Sequence, residues 1–375
     1  MMADAMRRTL AFAALGLCLA WLSAAWAEDS EARIGQEAAA QVEKEYKVVD
    51  DPQTTEKLQH IAQTLAAVSP RPDVKYTCKI LDHPSINAFS VPGGHVYVTK
   101  GALAAVESDD ELAAILGHEI GHNAKRHALE LLRHEAKANA RLGVAVLGAL
   151  LAGGNVDPGQ VALMGGLLKQ AVLNGYSVKA EEEADSEAVV YLQKSGIYAP
   201  VAVLTVLEGF ARMETSRPEV DLGIFQTHPE AVARVQAVKQ ELQKLGIPLN
   251  RRLVLRSLVP KAEKVTVKDK EIGRLLIDDR VIFEPAVSEG SASPLERAQL
   301  IADRFRALLL KNLQLYEMHL KKEPQRAVVH ARDQEIIVVL PGDAEFHATT
   351  LDKLGDKVMD SIRMAFWAEA TRRAY

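Results

Sequence analysis

The chain is poor in cysteine, in net charge and in long apolar runs, and each shortage excludes a class of protein. Of 375 residues only Cys18 and Cys78 are cysteines. Cys18 lies in a segment read below as removable, so no internal disulfide can form, and Cys78 is most simply a small buried hydrophobe within the apolar alternation from Val74 to Leu81. Charge is nearly balanced, with 45 basic against 50 acidic residues. Residues 28–250 carry 21 basic against 30 acidic side chains, and residues 251–375 carry 22 against 19, so a nucleic-acid partner finds no support. The mildly basic tail reads as a solvated face of mixed charge. The apolar stretches between Leu142 and Gly175 are broken by Gly153-Gly154-Asn155 and Asp157-Pro158-Gly159, and neither is long enough to span a bilayer comfortably. They read as a helical hairpin packed on the core, with a membrane-surface or substrate-gating element as the alternative. What remains, 48% hydrophobic and 25% charged residues, is the composition of a globular chain long enough for two domains.

The N-terminus follows a different logic. Arg7 and Arg8 precede an apolar run from Leu10 to Leu22, and Ala25-Trp26-Ala27 supplies small residues before acidic Glu28 and Asp29. This is the layout of a signal peptide cleaved after Ala27, with an uncleaved membrane anchor as the alternative, and it implies export, in a bacterium to the periplasm.

Residues 28–69 have apolar positions at helical spacing, such as Leu58, Ile61 and Leu65, and stop at Ser69-Pro70-Arg71-Pro72. A small sheet is expected next, from the alternation at Val74 to Ile80 and from His95-Val96-Tyr97-Val98-Thr99 after the Pro92-Gly93-Gly94 turn. Ser108-Asp109-Asp110-Glu111 has the pattern of a capping box and opens a long helix expected to run toward Arg141. Further helices are expected over Glu181 to Leu192, Pro200 to Met213 and Pro229 to Leu245, closing at Gly246-Ile247-Pro248. A linker at 251–262 then leads to a C-terminal module at 263–375. In it, hairpins about Asp278-Asp279 and Arg332-Asp333 each precede a helix, one capped by Ser293-Pro294 and the other running from about His347 to Arg373. The fold class is α+β, mainly helical, with a small sheet in residues 28–250 and a smaller α+β module behind it.

His118-Glu119-Ile120-Gly121-His122 is H-E-x-x-H within a helical segment. Imidazoles four residues apart leave one face of a helix and can grip one metal ion, while Glu119 can act as a base toward a water held there. Zinc in such a site needs a third protein ligand, and Glu181-Glu182-Glu183-Ala184-Asp185 is the best source. Ala184, Ala188 and Val189 give that helix an inward-packing side, and Glu181 and Asp185 share a face. His127 and His134 fall out of register with the His118/His122 pair on a continuous helix and read as structural.

Together with Asn87-Ala88-Phe89, Pro92-Gly93-Gly94, Thr227-His228-Pro229 and Arg234, these motifs resemble peptidase family M48 across roughly residues 30–248. The resemblance implies a gluzincin-type metallopeptidase domain with one Zn2+ per chain, held by His118, His122 and Glu181. It also implies Glu119 as general base, Asp185 as the outer carboxylate orienting a ligand imidazole, and His228 near the metal, where it stabilises the oxyanion or blocks an open coordination position. An extended peptide is expected to pair with an edge strand at His95, Val96, Tyr97 and Val98. The expected substrates are unfolded or misassembled envelope proteins, with a chaperone or assembly factor bearing a latent protease site as the alternative. Oligomeric state and contact with a membrane or envelope complex are left open. Val178 stands where family members usually carry Arg, which puts one local salt bridge in doubt but no ligand.

Overall fold

The computed structural model describes residues 31–138, 158–173, 175–216, 231–255 and 257–373. The leader at 1–27, the first apolar stretch after Leu142, and His228 with its neighbours lie outside them. Among the described residues no helix is long and apolar enough to cross a membrane. The chain divides into two units, Met1–Pro248 and Leu249–Tyr375.

The first unit opens with helices α1 (residues 31–45) and α2 (Pro52–Ala66). Asp51 caps α2 by accepting from the Thr54 N–H at 3.1 Å, Pro52 stands where its missing N–H is no loss, and Leu58, Ile61 and Leu65 form the buried stripe. Strands β1 (Thr77–Leu81), β2 (Ala88–Val91) and β3 (His95–Thr99) follow, in the spatial order β1-β3-β2. Here the structure corrects an expectation: His95 to Val98 form the central strand, not an edge. The Gly93-Gly94 turn, both residues at positive φ, folds β3 back antiparallel on β2, while β1 takes its other side in a parallel ladder from Thr77↔His95 to Leu81↔Thr99. The strand lying against the H-E-x-x-H helix is β2.

After the short helix α3 (Lys100–Ala105), that motif helix, α4, runs Asp109–Lys125. The Ser108 hydroxyl accepts from the Glu111 N–H at 3.2 Å, and three acidic residues in the first turn suit the positive helix end. The expected box closes one residue early, because the Glu111 carboxylate accepts from the Glu107 N–H at 2.8 Å. The single long helix is also broken. Arg126 adopts a left-handed conformation at φ 61°, and a separate helix α5 covers His127–Ala138. Neither Gly nor Pro marks this break; an ion pair from Arg126 Nε to the buried Glu31 carboxylate at 3.0 Å accompanies it.

Helices α6 (Pro158–Leu173), α7 (Val178–Ser195), α8 (Ala202–Ser216) and α9 (Ala231–Lys244) complete the unit. α1, the sheet, α5 and α6 share a core through Ile34, Val42, Phe89, Tyr97, Leu132 and Leu168. α4 packs closely on α7, its Gly117 and Gly121 facing Ala188 and Ala184.

The second unit is one pattern twice. Strands β4 (Pro260–Val267), β5 (Lys270–Ile277) and β6 (Arg280–Phe283) form an antiparallel meander followed by helix α10 (Pro294–Leu310). Strands β7 (Met318–Glu323), β8 (Arg326–Ala331) and β9 (Gln334–Val339) repeat it before α11 (Pro341–Phe346) and α12 (Leu351–Arg373). The two hairpins expected from sequence are therefore the later pairs of three-stranded meanders. The stretch 251–262 holds a 3-10 turn at Arg251–Leu253 and the first residues of β4, and the last helix begins at Leu351 rather than near His347. Both copies feed one core, including Leu275, Phe283, Phe305, Val329, Ile337 and Ile362. A fully buried pair, Arg297 and Asp343, joins α10 to α11 at 2.9 Å, with Asp343 also accepting from the Ala286, Val287 and Leu340 N–H groups.

Candidate metal centre

His118 and His122 leave α4 one turn apart, and Glu181, in the first turn of α7, meets them from across the helix pair. All three are buried, Glu181 completely. One donor atom from each lies within 4.8 Å of the others. The two Nε2 atoms are 3.0 Å apart, and the Glu181 carboxylate stands 3.4 Å from the His118 Nε2 and 3.3 Å from that of His122. Donors about 2 Å from a tetrahedral ion are about 3.3 Å from one another, so the set has the spacing and chemistry for a small divalent cation.

Each imidazole is committed through its other nitrogen. His118 Nδ1 is 2.9 Å from the Asp185 carboxylate, which leaves Nε2 facing the shared point. Burial works against a charge on His118, but hydrogen bonds and attraction from Asp185 and Glu181 outweigh it and, without a cation, hold its pKa up to about 9. Asp185 is also desolvated, yet Arg234 and His118 bring it down to about 2. The Arg234 guanidinium, from α9, grips Asp185 through Nε and Nη2 at 2.8 Å and Glu181 through Nη1 at 2.7 Å. One cation thus fixes both buried carboxylates of α7. Glu119 is buried beside its histidines, and its backbone carbonyl accepts from the Ser90 hydroxyl of β2 at 3.0 Å.

The sequence profile of peptidase family M48 matches residues 52–242, just over half of the chain. The chain belongs to this family. Among curated proteins it is similar to the mitochondrial metalloendopeptidase OMA1 of Schizosaccharomyces pombe, 30% identical over 57% of this chain and 61% of that one. It is also similar to the β-barrel assembly-enhancing protease of Escherichia coli, at 26% over 55% and 42%, and to metalloprotease LoiP of the same organism, at 29% over 45% and 64%. The chain thus spans less than two thirds of the length of each of these relatives. A domain of unknown function, DUF8459, matches residues 274–368.

The M48 motifs account for His118, Glu119, His122, Glu181 and Asp185, which the fold brings together, and for Arg234, whose bridging position its motif alone did not reveal. His95 to Val98 lie in the central strand, and His228 is outside the described residues. Two aromatic groups adjoin His122: Tyr176, which sequence reasoning missed, and His127, which it read as structural without a link to the ligand. Tyr176 stacks on the His122 ring, centroids 4.0 Å apart and 18° from parallel. His127 places Nδ1 2.9 Å from His122 Nδ1 and Nε2 3.3 Å from the Glu183 carboxylate. Burial lowers the pKa of His127 despite that carboxylate. The signal was visible as a third histidine five residues after the motif, but a straight helix turns that position away, and only the left-handed Arg126 returns it.

Proposed function

We propose that this M48 chain is an exported zinc-dependent endopeptidase acting on unfolded or misassembled proteins. The observation that carries the reading is the convergence of the two Nε2 atoms and the Glu181 carboxylate on one buried point, with Glu119 on the same helix. His118, His122 and Glu181 would hold the ion. A bound zinc supplies Lewis-acid polarisation of a peptide carbonyl and acidifies a water to a pKa near about 7. Glu119 accepts the proton of the attacking water and returns it to the departing amine. Asp185 and Arg234 keep His118 and Glu181 aimed throughout. For an extended substrate held by strand addition, β2 replaces the central strand as the docking edge, since Ser90 ties it to the backbone of Glu119. Export rests on the leader-like residues 1–27.

The deciding experiment compares the mature protein with Glu119→Gln. Wild type is expected to cleave casein with one zinc per chain, and Glu119→Gln to keep the zinc and lose cleavage. Unchanged cleavage by the variant sinks the base assignment. The name of the assembly-enhancing relative favours a second reading, an assembly factor whose protease site is latent. Suppression of substrate aggregation that survives in Glu119→Gln, with no cleavage by wild type, selects it.

A further inference from the structure

We infer that His127 is a positioning residue for His122, forming with Glu183 a two-step chain that fixes the tautomer and aim of that ligand. The inference rests on the metal-binding reading of the site and adds residues that the five-residue motif does not contain. An Nδ1···Nδ1 contact at 2.9 Å needs one nitrogen to donate and the other to accept. If His122 uses its Nε2 lone pair for a cation, its proton sits on Nδ1 and His127 Nδ1 is the acceptor. The His127 proton is then on Nε2, where the Glu183 carboxylate lies 3.3 Å away to receive it. Every atom in the row therefore has one role: carboxylate, imidazole, imidazole, metal.

The two ligand histidines are thus held by unlike means. His118 meets a carboxylate directly, and that carboxylate is clamped by Arg234. His122 meets a neutral ring whose own carboxylate is partly exposed, its side chain at 41%. The backbone is bent for the purpose: α4 ends in the left-handed Arg126, and α5 starts at once with His127. Tyr176 stacked on the face of His122 restricts the ring to the plane in which the Nδ1 contact is made.

The test replaces His127 by Leu, which removes the acceptor, and by Asn, whose side-chain oxygen stands where Nδ1 stood. Zinc affinity is measured by competition with a chromophoric chelator, and melting of the metal-free proteins is followed alongside. His127→Leu is expected to bind zinc about ten- to hundredfold more weakly and His127→Asn within a few-fold of wild type. Glu183→Ala is expected to weaken binding when residue 127 is His and to do nothing further when it is Asn. Wild-type affinity in His127→Leu, or equal loss in the Leu and Asn variants, overturns the inference. If the metal-free Leu variant is unfolded, the Asn variant and the two Glu183→Ala backgrounds decide the matter by themselves. Should wild type bind no zinc, the metal reading falls and this inference with it; should wild type bind one zinc that His118→Ala loses and His127→Leu keeps, only this inference falls.

Discussion

The seam between α4 and α7 can be tested with two glycines that differ only in what they face. A Cβ built on Gly121 would stand 3.1 Å from the Ala184 carbonyl oxygen and 3.2 Å from its Cα, inside the 3.4 Å at which ordinary contact begins. The two nearest neighbours are backbone and the third, the Glu187 Cβ at 3.3 Å, is attached directly to it, so the helices themselves must part by a few tenths of an ångström. A Cβ on Gly117 would meet the Leu192 Cδ1 at 3.1 Å, the end of a flexible side chain, and the Ala188 Cβ at 3.4 Å. Gly to Ala in a helix gains about 1 kcal/mol, and overpacking a tight contact costs about 1–3 kcal/mol. Gly117→Ala should keep most of that gain. Gly121→Ala should lie between neutral and about 2 kcal/mol less stable than wild type. Because α4 carries His118 and His122 while α7 carries Glu181, it should also bind zinc more weakly. Urea unfolding of the metal-free proteins and chelator competition measure the two effects separately. If Gly121→Ala is as stable as Gly117→Ala and binds zinc like wild type, the helices are not held at the spacing the metal site requires.

Other expectations follow from the same geometry. Glu181→Gln should emerge from gel filtration with far less than one zinc per chain on elemental analysis, while its far-ultraviolet circular dichroism stays native. Asp343→Ala would leave the buried Arg297 guanidinium with only the partly exposed Glu289 carboxylate at 3.5 Å as its counter-charge, and denaturant unfolding should show a loss of about 3 kcal/mol. Burial raises the pKa of Glu43, but hydrogen bonds from Lys79 and Tyr97 outweigh it and hold the value below the ordinary 4.5. A depressed carboxylate pKa contributes stability above its unfolded value and loses it as pH falls through the folded one. Glu43→Gln should therefore flatten the fall in unfolding free energy below about pH 4.5; a slope equal to that of wild type removes Glu43 from the acid response.

Local periodicity carried the site a long way. His118 and His122 are one helical turn apart, so their common face follows from sequence; Ala184, Ala188 and Val189 give the second helix an inward-packing side on which Glu181 and Asp185 share a face, while the roles of those two acids follow only from the M48 motifs. What stayed hidden depends on partners distant in the chain. The strand at His95 to Val98 looks like any half of a hairpin, and nothing local announces that β1 occupies its second edge. The left-handed Arg126 carries no glycine or proline signal, and the Glu31 carboxylate that holds its side chain lies far back in the chain. β4 and β7 were missed because residues such as Glu263, Lys264, Lys321 and Lys322 face solvent or its margin, leaving too few apolar positions to mark a strand.

The Arg234 bridge has a consequence for valence. Within the described centre, Glu119, Glu181 and Asp185 bring three carboxylates into a volume shielded from water, and Arg234 answers one of them. Two negative charges remain when the carboxylates are ionised and the histidines neutral. A dication restores electroneutrality, a monovalent ion leaves a buried charge unbalanced, and replacing Arg234 with a neutral side chain would shift the balance by one. The guanidinium that steadies the ligands would thereby also enter the charge balance of the cavity once an ion is bound.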